Sequence, residues 1–154
     1  MISIDIPGWG NVDIENIVLD LNGTIATDGK FPIEVKEKIN LLSERVNVYI
    51  LTADTQGTAS DEINGMNLVK LPGEQSKKGK FEFLKTLDLV RTVAIGNGNN
   101  DQLILKEAAL GIAVLGDEGL SVFAIKNADI VVKNISDALD LFLKPKRLIA
   151  TLRE

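Results

Sequence analysis

The chain has 154 residues, of which 45% are hydrophobic and 25% are charged, and it contains neither cysteine nor histidine. A chain of this size can bury a core as one soluble domain. The missing residue types exclude disulfide scaffolds, thiolate or imidazole metal sites, haem and iron–sulfur ligation, and nucleophilic cysteines. A net charge of −5 argues against nucleic-acid binding. No apolar run approaches the roughly 20 residues of a membrane span, and the acidic start is unlike a signal peptide, so we expect a cytoplasmic protein.

The predicted elements alternate between strands and helices. Residues 1–16 begin with Ile2–Ile6, a segment in which apolar and polar residues alternate and which ends at Pro7-Gly8. This pattern predicts an edge strand or part of a hairpin. Continuous aliphatic runs then predict strands that are buried on both faces, at 17–19, 46–51, 68–69, 90–95, 112–115 and 130–132. Helical spacing of apolar residues falls between them, at Ile33, Val35, Ile39 and Leu42, at Phe81, Phe83, Leu84 and Leu87, and at Leu103, Leu105 and Ala109. This order predicts one domain over 1–154, an α/β fold with a doubly wound parallel sheet between two helical layers.

The carboxyl-terminal segment is basic. Pro145 separates residues 135–143 from Lys146–Arg153, and residues 144–154 predict a tail helix docked on the sheet. The alternative is a basic tail that contacts a neighbouring subunit or an anionic substrate.

Polar residues follow three of the predicted strands, and ligands in open α/β sheets bind beyond the carboxyl ends of strands. The segments are Asp20–Thr24, Thr52-Ala53-Asp54 and Gly96–Asp101, with Lys77, Lys78 and Lys80 opening the helix before the last of these strands. A carboxylate can attack phosphorus, while amides, a hydroxyl and a lysine can hold phosphoryl oxygens. Magnesium, bound by oxygen ligands, would offset the remaining charge. The set suits phosphoryl transfer, which needs no imidazole.

These three segments, in this order, resemble the motifs of the haloacid dehalogenase (HAD) superfamily, and most closely the phosphorylation domain of P-type ATPases. The resemblance continues through 110–114 and 128–132 and covers roughly residues 17–143. Only residues 25–51 separate the first two motifs, which is enough for a flap and one helix but not for a nucleotide-binding domain. The stretch between Met66 and Lys77 leaves no room for a cap domain either. The resemblance therefore implies an uncapped, soluble phosphohydrolase with a small phosphorylated substrate. Its site would be open to solvent unless a homo-oligomer covers it.

The resemblance also implies a role for each matching position. Asp20 would be the nucleophile and a magnesium ligand, and the main-chain carbonyl of Asn22 a second ligand. Thr52 and Lys80 would bind the phosphoryl group, with Lys77 and Lys78 as alternatives to Lys80. The remaining assignments are phosphate contacts at Gly23 and Ala53 and metal contacts at Asn97 and Asp101.

Two positions depart from the family pattern. Asn22 stands where phosphatases of the superfamily carry an aspartate that acts as general acid and base, a function worth about 10²–10⁴-fold in rate. Asn97 stands where the family places a metal-binding aspartate, so one formal charge is missing. We therefore expect slow turnover or a high magnesium requirement.

Two other classes of function compete with this hypothesis. The two asparagines are compatible with a non-catalytic module that binds phosphate or metal, or with a regulatory module. A purely structural protein that assembles through its basic tail is the third alternative. Taken singly, Asp20-Leu21-Asn22-Gly23 could be a turn, Thr52 a helix cap and Asp54 a cap or a solvated acid.

Overall fold

The computed structural model describes residues 1–26, 30–52, 66–71 and 76–154. Within these ranges the strands are β1 (Ile2–Ile6), β2 (Gly10–Ile14), β3 (Asn16–Asp20), β4 (Asn47–Thr52), β5 (Asn67–Lys70), β6 (Thr92–Gly96), β7 (Leu110–Val114) and β8 (Ile130–Val132). The α-helices are α1 (Ile33–Ser43), α2 (Ser76–Leu84), α3 (Gln102–Glu107), α4 (Val122–Asn127), α5 (Ile135–Leu143) and α6 (Pro145–Leu152).

Strands β3 to β8 form one parallel sheet in the order β5-β4-β3-β6-β7-β8. The chain runs outward from β3 to β5 and then returns to build the other half from β6 to β8. The strand order therefore reverses beside β3, and such a switch point is where ligands bind in open α/β sheets. The predicted doubly wound parallel sheet is confirmed, and the described residues include no cap domain.

Two hydrophobic clusters cover the two faces of this sheet. Alternate residues of each strand point to opposite faces, so Ile17 and Leu19 of β3 join one cluster while Val18 joins the other. The first cluster includes residues of the β1–β2 hairpin, α1, α5 and α6, and the second includes residues of α2, α3 and α4. This double burial explains why the strands are continuously aliphatic in sequence.

The amino-terminal segment is a hairpin with a sheet of its own. β1 pairs antiparallel with β2, with Ile2 opposite Ile14 and Ile4 opposite Val12, and these side chains are buried in the first cluster. The structure thus selects the hairpin from the two alternatives that the sequence left open. Gly8, at φ +82°, forms part of the turn.

Several element boundaries differ from the predictions. The apolar residue Ile33 is 76% exposed because it opens α1 and lies off the buried side formed by Val35, Ile39 and Leu42. Residues 89–91 form a 3₁₀ turn rather than the start of β6, because the side chain of Asp88 accepts a hydrogen bond from the amide of Val90. Leu87 and Ala109 fall beyond the ends of α2 and α3. Across the described ranges, each helix is too short or too polar to span a membrane.

The tail helix α6 packs against α5 and β1 rather than on the main sheet, and it buries Leu148 and Leu152. Arg147 of α6 and Lys144, which directly precedes this helix, contact Asp140 of α5, which is 5% exposed. The Asp140 carboxylate lies 2.9 Å from Lys144 Nζ, 3.0 Å from Arg147 and 3.0 Å from Lys38 Nζ of α1. The basic composition of the tail therefore serves, at least in part, to hold three helices together.

We expect Asp140→Asn to lower the free energy of unfolding by about 1.5–3 kcal/mol at pH 7, the typical worth of hydrogen bonds to a charged group. Burial would raise the pKa of Asp140, but hydrogen bonds from Lys144 and Lys38 outweigh it and hold the pKa below its usual 3.8. A lowered folded-state pKa stabilises the protein above about pH 4, and this stabilisation is lost as the pH falls through the lowered pKa.

Urea unfolding of both proteins between pH 3 and pH 7 measures this difference, which should shrink below about pH 4. Asp5→Asn, at an exposed carboxylate of β1, is the control and should change stability by less than about 0.5 kcal/mol. A difference between Asp140→Asn and the natural chain that does not depend on pH would contradict the electrostatic explanation.

Candidate active site

Asp20 is the last residue of β3, and its neighbours in the sheet leave it 6% exposed. β3 is the central strand at the switch point, so the side chain lies where the carboxyl ends of β3, β4 and β6 come together. A tight loop follows: the amides of Ile25 and Ala26 both donate to the carbonyl oxygen of Leu21, at 3.0 and 2.9 Å. Gly23 has φ +77°, a backbone conformation that residues other than glycine rarely adopt.

Lys80 reaches Asp20 from helix α2. Its ammonium donates to Asp20 Oδ1 at 2.8 Å, to Asp101 Oδ1 at 2.8 Å and to Asn100 Oδ1 at 3.0 Å. Although charged, Lys80 is only 1% exposed, whereas Lys77 and Lys78 are exposed on the same helix. Of the three lysines that the sequence offered, the structure brings Lys80 to the aspartate.

The buried charges shift each other's protonation. Burial, the largest effect, and the charge of Asp101 raise the pKa of Asp20 to about 7, against the opposing effect of Lys80. Burial would lower the pKa of Lys80, but the charges of Asp20 and Asp101 raise it above its ordinary value. Lys80 is therefore a fixed positive charge at neutral pH, beside a carboxyl group that titrates near that pH.

Asp101 holds the loop between β6 and α3. Its Oδ2 accepts hydrogen bonds from the amides of Asn97 at 3.0 Å and Gly98 at 2.9 Å, while Oδ1 accepts from Lys80. A β-carbon on Gly96 would overlap the carboxylate of Asp101, so the close approach requires glycine there. Since both oxygens are engaged, the observed contacts of Asp101 are with the lysine and the loop, and its role as a metal ligand stays a prediction.

Asn97 connects three loops at the edge of the site. Its Oδ1 accepts from Thr24 Oγ1 at 3.1 Å, and its Nδ2 donates to the carbonyl of Gly119 at 3.4 Å. The amide can satisfy a donor and an acceptor at once, which a carboxylate cannot. An asparagine at this position, where the resemblance implies an aspartate, therefore has a structural consequence as well as an electrostatic one.

The remaining predicted site residues differ in how deeply they are buried. Thr52 ends β4 and is 2% exposed, and Gly23 is buried in the loop after β3, whereas the side chain of Asn22 is exposed. Ala53 and Asp54 lie outside the described residues. The sequence interpretation gave no role to Thr24 and Asn100, although both lie within its motifs. It also overlooked the loop after β7, which the same strand-end rule would have included.

The groups that the sequence predicts as metal ligands all offer oxygen atoms. Asp20, the main-chain carbonyl of Asn22, the side-chain oxygen of Asn97 and Asp101 are hard ligands of the kind that magnesium prefers. Among the described residues no three acidic side chains are grouped tightly enough to form a metal cluster by themselves. Oxygen ligands of this kind suit a magnesium ion that keeps several waters and is held by one or two carboxylates, so a magnesium site here stays a prediction.

The chain is similar to known proteins in sequence. An uncharacterised protein of Methanocaldococcus jannaschii is 59% identical over 93 residues, which is 56% of this chain and the whole of that protein. A soluble P-type ATPase-like phosphatase of the same organism is 29% identical over 143 residues, which is 89% of this chain and 52% of that protein. The chain thus spans about half the length of that phosphatase. No family model matches the chain.

Solved structures share its fold. The cobalt-bound deoxy-D-mannose-octulosonate 8-phosphate phosphatase of Haemophilus influenzae has a TM-score of 0.72 at 16% identity, over 92% of this chain and 94% of that one. The corresponding Moraxella catarrhalis enzyme, solved with magnesium, phosphate and KDO, has a TM-score of 0.68 at 17% identity, over 91% and 94%. At such identities the likeness establishes the fold. The chain therefore has the fold of these phosphatases, and along most of its length it is similar in sequence to a soluble P-type ATPase-like phosphatase.

Proposed function

We propose that the protein is a magnesium-dependent phosphohydrolase that works through a phosphorylated Asp20 on a small phosphorylated substrate. The observation that carries the proposal is the buried contact between Asp20, at the end of the central strand, and Lys80 at 2.8 Å. A buried carboxylate–lysine pair at a switch point is costly for stability, and it has the groups that phosphoryl transfer requires.

The chain's own residues account for two steps. A carboxylate oxygen of Asp20 attacks the phosphorus, the bond from phosphorus to the substrate oxygen breaks, and the leaving oxygen takes up a proton. Water then attacks the phosphorus of the acyl phosphate, which releases inorganic phosphate and restores the carboxylate. Lys80 supplies a fixed positive charge next to the phosphoryl oxygens, and Thr52 supplies a hydroxyl from the neighbouring strand. A bound magnesium ion would neutralise further phosphoryl charge.

Slow turnover is part of the proposal. The amide of Asn22 cannot take up or release a proton as an aspartate would, so the leaving group and the attacking water depend on solvent. The substrate we propose is a small phosphorylated molecule. The fold neighbours from Haemophilus and Moraxella are phosphatases of a sugar 8-phosphate, which supports the same class of substrate.

Asp20→Asn should abolish hydrolysis of para-nitrophenyl phosphate or acetyl phosphate in the presence of magnesium, because the nucleophile is lost. Borohydride trapping followed by mass spectrometry should place the adduct at Asp20 in the natural chain and find none in the variant. Asp5→Asn, in the hairpin, is the matched control and should retain full activity. Equal turnover by Asp20→Asn and the natural chain would refute the proposal.

The second candidate is a module that binds phosphate and metal without turnover. The specific observation in its favour is that Asn97, at the position of the family's metal-binding aspartate, is engaged with Thr24 and Gly119. Calorimetry that detects magnesium and phosphate binding, together with no trapped adduct, would support this candidate over the enzyme.

A further inference from the structure

Glu118 lies in a tight turn directly after β7, beside the site. Gly116 and Gly119 pair across this turn, and the amide of Gly119 donates to the carbonyl of Gly116 at 3.0 Å. The turn follows the strand next to β6, so it lies at the same carboxyl edge as Asn97. Its two middle residues, Asp117 and Glu118, are both exposed.

The carboxylate of Glu118 is directed towards the loop after Asp20 rather than away from it. A β-carbon built on Gly23 would lie 2.5 Å from Oε2 of Glu118 and 2.7 Å from Nδ2 of Asn97. The Glu118 carboxylate and the Asn97 amide therefore occupy the space above Gly23 together. A β-carbon on Gly116 would meet the carbonyl of Gly23 at 3.2 Å, so the two loops also touch through their backbones.

The charges of the site explain why this position matters. When both are ionised, Asp20 and Asp101 carry two negative charges, and Lys80, which contacts both, cancels one of them. A neutral amide at position 97 adds none. Hard divalent cations depend on carboxylate charge for their affinity, so the site would attract magnesium weakly without a further anion. In the part of the chain that the structure describes, Glu118 is a carboxylate that adjoins Asn97 and the loop after Asp20.

We propose that Glu118 supplies the negative charge on the metal side of Asp20 that the asparagine at position 97 does not. This inference rests on the proposed magnesium-dependent function. Asn97 and Glu118 then form a matched pair, because an aspartate at position 97 would face both the Glu118 carboxylate and the carbonyl of Gly119. The negative charge is thus supplied after β7, at position 118, while the amide at position 97, after β6, holds the loops together.

Calorimetric titration of the full chain with magnesium chloride alone tests this inference without relying on activity. Glu118→Gln should weaken magnesium binding by about 10- to 100-fold, the usual effect of losing a group that supports a metal site. Asp117→Asn, which removes the same charge from the adjacent exposed residue, is the matched control and should change the affinity by less than about threefold. Both positions are exposed, so both variants should fold, and their thermal unfolding without metal checks this.

The double variant Asn97→Asp with Glu118→Gln returns the charge to position 97 and should recover most of the lost affinity. The inference would be overturned if Glu118→Gln bound magnesium as tightly as the natural chain, or if Asp117→Asn lost as much affinity. If a phosphorylated Asp20 were trapped while Glu118→Gln bound magnesium normally, the inference would fail and the proposed function would stand. If the natural chain bound no magnesium, both would fail.

Discussion

Replacing Lys80 with methionine should lower the free energy of unfolding by about 3 kcal/mol, because the substitution leaves two buried carboxylates without their shared counter-ion. Asp20 and Asp101 each lie 2.8 Å from the Lys80 ammonium, which is almost completely buried. Methionine has a similar length and no charge, so the change isolates the electrostatic contribution from packing. Trapping of a phosphorylated Asp20 should be lost as well.

Urea unfolding without metal measures the loss of stability. Lys77→Met and Lys78→Met are matched controls on the same helix, and since both side chains are exposed, each should change stability by less than about 0.5 kcal/mol. A Lys80→Met protein as stable as these two variants would show that the buried charges are not coupled as the contacts indicate.

The second large effect is expected from Gly111→Ala in the middle of the sheet. A β-carbon on Gly111 of β7 would overlap the main-chain carbonyl oxygen of Leu105 and lie 2.9 Å from its carbonyl carbon. These are backbone atoms of α3, so the helix itself must move. Overpacking of this kind costs about 1–3 kcal/mol, and we expect the upper end of that range because no side-chain rotation can relieve it.

The effect should extend to the site, because α3 begins at Gln102, directly after Asp101. Gly79→Ala provides a control of opposite sign: its β-carbon would meet Leu71 at an ordinary 3.8 Å, and alanine is favoured over glycine inside a helix by up to about 1 kcal/mol. Thermal and urea unfolding of the two variants should therefore diverge. If Gly111→Ala were as stable as the natural chain, the close packing of α3 on β7 would be contradicted.

The strand positions were predictable because both faces of the sheet are buried, which forces each strand to be aliphatic along its whole length. The boundaries were less predictable, since residues such as Ile33 and Val90 are apolar but exposed. A local hydrogen bond from the amide of Val90 to the side chain of Asp88 delays the start of β6 to Thr92, and the spacing of apolar residues does not reveal such a bond.

The candidate site, too, was predictable from the sequence in part. The sequence alone determined that chemistry here must use carboxylates, amines and hydroxyls, and that Asp20, Thr52 and the Gly96–Asp101 loop follow strands. It left three lysines open, because the rotation of α2 about its axis is set by packing of its apolar side against the sheet. Only the tertiary structure placed Lys80 between Asp20 and Asp101, and only it placed Glu118 over Gly23. These contacts join residues 21 to 95 positions apart, and they form because the sheet order sets β3, β6 and β7 side by side. Sheet order depends on long-range packing, which local sequence patterns do not encode.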